Sequence, residues 1–136
     1  LVAEIFVFGS NLLGIHGAGA ALYARTHHGA EMGVGKGETG TSYAIPTKYH
    51  PSRTMTLDAI EIYVRDFLFW IQEHRENTYL LTPIGCGYAG YKPSDIAPMF
   101  HTGNLIENLR YPKEFIEFIP PLQSRPDLIA NFPNYP

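Results

Sequence analysis

The chain has a single cysteine, Cys86, among 136 residues, so it can form no internal disulfide; this fits a reducing, cytoplasmic setting. It has no basic surplus. Ten Lys and Arg stand against thirteen Asp and Glu, a formal charge of -3. A dedicated nucleic-acid binder needs excess cations to neutralise phosphates, so that class is set aside. No apolar run comes near the ~20 residues of a membrane span, and nothing is patterned as a signal peptide, so no membrane partner is expected. The six histidines form no HExxH pattern and pair with no cysteines, so no metal is expected and no cofactor is assigned. What remains is 45% hydrophobic and 17% charged, the composition of a globular domain with its own core. Glycine (13 residues) and aromatics (8 Phe, 9 Tyr and Trp70) stand out. Glycine lets backbone approach a ligand closely, and rings offer that ligand a surface.

Hydrophobic patterning predicts an alternation of strands and helices. Ala3-Glu4-Ile5-Phe6-Val7-Phe8 is β-branched and aromatic, and ends at Gly9-Ser10-Asn11. Residues 18–28 hold good helix formers with Gly29 as a C-terminal stop. Residues 29–41 contain five glycines and read as a loop, with room for a short strand at Met32–Val34. Ser42–Ile45 reads as a second strand closed by Pro46. Leu57, Ile60, Val64, Phe67, Leu68 and Ile71 share one face of a helix over 56–74, with Thr56 as N-cap. Tyr79–Ile84 is a nearly all-apolar strand, Pro93-Ser94-Asp95 opens a helix, and Phe115–Ile119 is a last strand. The expected fold is α/β, a three-layer sandwich with a mostly parallel or mixed sheet over residues 1–119. Residues 120–136 hold five of the eleven prolines and form a tail. Its Leu128, Ile129, Phe132 and Tyr135 suggest docking, and oligomerisation through it is one expectation.

Two glycine patterns invite a dinucleotide fingerprint, and both fail. Gly35-Lys36-Gly37-Glu38-Thr39-Gly40 precedes a strand, and too little chain follows Gly85-Cys86-Gly87-Tyr88-Ala89-Gly90 for a Rossmann domain. Their placement is still informative. Gly9–Gly19 and Gly85–Gly90 each leave a strand at the end where parallel sheets bind ligands, and the first opens a helix N-terminus suited to an anion. Facing each other, two such loops cradle a diphosphate without a lysine cluster.

Phe8-Gly9-Ser10-Asn11-Leu12 with Gly17-Ala18-Gly19-Ala20-Ala21 resembles the first ligand loop of macrodomains. Tyr43-Ala44-Ile45-Pro46-Thr47-Lys48 and Pro83-Ile84-Gly85-Cys86-Gly87 resemble the terminal ADP-ribose glycohydrolase branch of that superfamily. The resemblance spans about Ile5 to Ser94 and implies a macrodomain-like fold that binds ADP-ribose or an ADP-ribosylated substrate. It implies ligand contacts from Gly9, Ser10, Asn11, His16, Gly17, Ala18 and Gly19, and from Gly85, Cys86, Gly87, Tyr88, Ala89, Gly90 and Tyr91. Lys48 matches the branch's nucleophilic lysine, and Asn11 would orient the distal ribose; these two are the candidate catalytic residues. Two departures stand out. The aspartate expected after the Gly-Cys-Gly motif is Ala89, and the strand ending in the adenine-holding aspartate has no counterpart. Hydrolysis at the distal ribose is therefore weighed against a non-catalytic reader or sequestering protein. Individual residues keep a second reading: Asn11 as a turn former, Lys48 as a steering surface lysine, Tyr88 and Tyr91 as lids on the core, His16 as an exposed loop residue, Cys86 as a buried thiol.

Overall fold

A computed structural model describes residues 2–132 and 135; Leu1, Pro133, Asn134 and Pro136, the outermost positions of the expected domain and tail, lie outside the described residues. The fold is α/β. Six strands, β1 (Glu4–Asn11), β2 (Gly37–Thr39), β3 (Ser42–His50), β4 (Arg53–Thr54), β5 (Thr78–Leu81) and β6 (Leu109–Arg110), form one mixed sheet. Its order is β2-β3-β1-β5-β6, with β4 also on β3. β1 pairs in parallel with both β3 and β5, and β5 in parallel with β6, whereas β2 and β4 run antiparallel to β3. The α-helices among the described residues are α1 (Gly19–His27), α2 (Leu57–Glu73) and α3 (Pro93–Ile96).

β1 is central, so both its faces are buried and alternation of side chains assigns them to two layers. Ile5 and Val7 enter a core with Tyr43 and Ile45 of β3 and Ile60, Val64, Phe67 and Ile71 of α2. Phe6 and Phe8 point the other way, into a smaller core with Ala24 of α1 and Ala44. The long helix forms where its apolar spacing and cap require it: the Thr56 hydroxyl accepts from the Ala59 amide at 3.3 Å, and the buried residues are those of the anticipated face. Each of these large side chains contributes about 1.5–3 kcal/mol by leaving water. Glu38 ties the sheet edge to α2 by accepting from Tyr79 Oη at 2.9 Å and from Trp70 Nε1 at 3.1 Å. Burial, with the Glu38 carboxylate adding to it, pushes the Tyr79 phenol up to about 12, so it stays a donor throughout the physiological range.

Four local expectations are corrected. Met32–Val34 is a turn, and the short strand is β2, because Gly33 bonds back to Gly14 and not to a neighbouring strand. β3 runs through Pro46 to His50. Pro46 sits opposite Ser10 beside an irregularity at Ser10/Asn11, the kind of position where a strand tolerates a residue lacking an N–H. β5 ends at Leu81, since the Thr82 hydroxyl turns onto the Val7 carbonyl at 2.7 Å. Phe115–Ile119 belongs to a 3₁₀ turn over Lys113–Phe118 following Pro112, and the edge strand is the two-residue β6. A short apolar run does not reveal its period, so either reading was compatible with it.

The described residues of 120–136 pack on the body. Leu122 and Leu128 belong to the larger core, and Tyr111 bridges Ile129. Phe132 and Tyr135 pack on the smaller core. Of the four side chains expected to dock, Leu128 is buried, whereas Ile129, Phe132 and Tyr135 are half-buried against the chain's own cores. No helix among the described residues is long and apolar enough to cross a membrane.

Candidate functional site

The chain leaves β1 through α1 to β3 on one side, and later reaches β5 on the other, so the carboxyl ends of β1 and β5 diverge into a crevice. Such switch points are where open α/β sheets place ligands. Here the crevice is a cavity of about 510 Å³, within the range of ordinary small-molecule sites. Gly9, Ser10, Asn11, Gly17, Ala18 and Gly19 line one wall. Gly85, Cys86, Gly87, Tyr88 and Ala89 line the opposite one. The two glycine loops converge.

Both loops have amides to offer. The first three residues of α1, Gly19, Ala20 and Ala21, have no intrahelical acceptor for their N–H groups, and Ala18 at the N-cap has no side chain that could take one. In the second loop, Cys86 N–H bonds to Pro83 and Gly90 N–H to Gly87, while those of Gly85, Gly87, Tyr88 and Ala89 meet no acceptor among the described residues. Two local requirements hold this shape. Gly85 has φ +74°, a conformation that side chains other than glycine rarely adopt. Gly35 packs so closely under the first loop that a Cβ there would run into the Asn11 carbonyl oxygen and stand 2.7 Å from the Leu12 carbonyl. The Gly35 carbonyl also accepts the buried Ser10 hydroxyl. Gly35, the first glycine of the pattern that mimics a fingerprint at 35–40, therefore buttresses the site from behind.

Asn11 and Lys48 are neighbours across β1 and β3 and both line the cavity. The Asn11 side chain, 7% exposed, is committed at both ends: Nδ2 donates to the Ile15 carbonyl at 2.9 Å and Oδ1 accepts the Ile15 amide at 3.1 Å. It shapes the loop, and retains one N–H and one lone pair for a ligand. Lys48 Nζ donates to the Pro51 carbonyl at 3.2 Å and lies 5.9 Å from the centre of the Tyr88 ring. Tyr88, 77% exposed, reaches across the mouth, its ring 3.0 Å from where a Cβ on Gly19 would stand.

Other expected residues fall elsewhere. His16 is 0% exposed and absent from the cavity wall; its Nε2 bonds to the Val34 carbonyl at 3.0 Å and its ring stands edge-on to Phe8. It is neither a phosphate contact nor an exposed loop residue, because the 31–35 turn covers it. Tyr91 sends its hydroxyl to the Met55 carbonyl and, like Gly90, does not line the cavity. The Cys86 thiol lines it and is pushed up to about 11, by burial first and then by Asp95 and Glu114. It is thus protonated at neutral pH and a poor nucleophile. Among the described residues the wall holds no Asp, Glu or His. Asp95 instead accepts the Lys92 amide at 3.0 Å, Asp58 sits in the exposed first turn of α2, and Glu38 serves Tyr79 and Trp70. No cluster of three His, Cys, Asp or Glu is placed to hold a metal among the described residues. Sequence reasoning missed Ile15, Thr47, Pro51, Thr82 and Tyr135, all on the wall. Thr47 lies just beyond the predicted end of its strand and Thr82 inside a strand expected to run to Ile84, whereas Tyr135 gave no signal beyond being an aromatic in the last residues.

Compared with protein-family models, with curated proteins and with solved structures, the chain finds no match.

Proposed function

We propose that this cavity binds ADP-ribose or a close ADP-ribosyl relative. The observation that carries the reading is that unpartnered amides from two separate loops line one cavity, with Lys48 as the cation on its wall. Backbone N–H groups and a helix N-terminus favour an anion without a metal, and a diphosphate is long enough to engage both loops. The free N–H and lone pair of Asn11 suit a ribose hydroxyl pair, and the resemblance of three motifs to macrodomains supplies the ligand class.

Binding without turnover is the primary reading. Hydrolysis needs a group to take a proton from water, and no carboxylate or imidazole side chain among the described residues lines the wall. The position of Lys48 beside Asn11 favours hydrolysis as the second reading, in which its unprotonated amine would attack the anomeric carbon of the distal ribose, the bond to the modified side chain would break with the amine's proton passing to that leaving group, and water would then free ADP-ribose from the lysine. Calorimetry with ADP-ribose, followed by mass spectrometry of an ADP-ribosylated peptide incubated with the protein, separates the two. A reader binds ADP-ribose and leaves the peptide intact, and Lys48→Ala weakens its binding by about three- to tenfold, the worth of one charge-assisted contact at a partly exposed site. Release of ADP-ribose that disappears in Lys48→Ala establishes the hydrolase. Absence of any heat with millimolar ADP-ribose overturns both.

A further inference from the structure

The wall of the cavity is completed from a distant part of the chain. Tyr135 lines it together with Ala20 and Ala21 of α1. The chain is tied down as far as Ala130, whose amide donates to the Tyr111 carbonyl at 2.8 Å, next to the Tyr111–Ile129 bridge. Beyond that point the Tyr135 amide donates to the Phe132 carbonyl at 3.2 Å, and its ring is set among other rings. Its centroid lies 5.4 Å from Phe6, 4.9 Å from Tyr23 and 5.6 Å from Phe132, each in an edge-on arrangement. Phe132 is itself edge-on to Phe6 at 5.8 Å. Tyr23 lies one turn along α1 from the uncapped amides, so one aromatic cluster supports both the anion-binding helix start and the Tyr135 wall.

We propose that Tyr135 is a ligand-contact residue of this cavity, taking an uncharged, ring-bearing part of the ligand, and that placement of its ring is coupled to occupancy. The inference rests on the ADP-ribose reading. The amides serve phosphate oxygens, whereas the face of an aromatic ring, electron-rich, has nothing to offer a diphosphate and much to offer a sugar or base face. Coupling is reciprocal: if the placed ring raises affinity, ligand holds the ring in place by the same factor.

The test is calorimetric titration of ADP-ribose and of inorganic pyrophosphate into wild type, Tyr135→Ala and Tyr135→Phe, with amide hydrogen exchange on wild type. Tyr135→Ala is expected to bind ADP-ribose about tenfold more weakly, the scale of one lost ring contact. Its pyrophosphate binding stays within about twofold of wild type, as does Tyr135→Phe on both ligands, since the ring is what matters. ADP-ribose, but not pyrophosphate, slows exchange at the amides of Phe132 and Tyr135. Equal ADP-ribose affinity in wild type and Tyr135→Ala, with no change in exchange, overturns this inference and leaves the ADP-ribose reading standing. Failure of wild type to bind ADP-ribose removes the reading and the inference together. Should Tyr135→Ala fail to fold, the wild-type exchange comparison decides alone.

Discussion

Gly17→Asp and Gly87→Asp, made separately, are each expected to weaken ADP-ribose binding by at least about 100-fold while leaving the melting temperature within about 2 °C. The two glycines lie on opposite walls of the cavity. Each has open space where a Cβ would be added, and neither has a positive φ, so the backbone accepts a side chain at both. What changes is charge. A carboxylate about 4 Å from a phosphate oxygen opposes it by about 4 kcal/mol at an effective dielectric constant of 20. Solvent screening at the mouth leaves ample repulsion for the ~2.8 kcal/mol that a 100-fold loss represents. Gly17→Ser and Gly87→Ser, neutral and similar in bulk, should bind within about threefold of wild type. If one aspartate abolishes binding and the other is silent, one loop alone faces the anion and the two-walled cradle fails.

Gly35→Ala is expected to destabilise the fold by about 2–4 kcal/mol, at the upper end of overpacking costs, because the added methyl meets fixed backbone. A Cβ at Gly35 collides with carbonyl groups of Asn11 and Leu12, which belong to the end of β1 and the loop it feeds. In a domain of this size each kcal/mol lowers the midpoint by about 3–6 °C, so thermal unfolding should fall by about 6–24 °C. Gly87→Ala, with open space around it, serves as the control and should melt with wild type. An unchanged midpoint for Gly35→Ala would show that the 29–41 loop does not buttress the site as described.

These two predictions separate what could be read in the residues from what could not. β1, α2 and the two glycine loops were legible because each depends on local pattern: two-fold or 3.6-fold periodicity, the Thr56 cap, and glycines just beyond strands. The meeting of both loops followed from a general rule about parallel sheets, and needed no long-range information. Other features depended on tertiary neighbours. His16 is buried because a turn 15 or more residues further on folds over it, bringing the Val34 carbonyl to its Nε2. Lys48 lies beside Asn11 only because β3 continues past Pro46 and the register shifts at Ser10/Asn11, whereas proline alone suggested that the strand stops. The last strand was misplaced because Phe115 and Ile119, four apart in a tight turn, share the apolar composition of a short strand. Tyr135 reaches the cavity through ring contacts with residues more than a hundred positions earlier, and nothing in its neighbourhood announces them.

The acceptor-free loop amides bear most directly on what the cavity does, and they can be watched one by one. In a ¹⁵N-edited NMR titration with ADP-ribose, the account predicts that the amide signals of Gly19, Ala20 and Ala21 and those of Gly85, Gly87 and Ala89 shift together, with one shared midpoint. Shifts confined to a single loop, or to residues away from the carboxyl ends of β1 and β5, would contradict it.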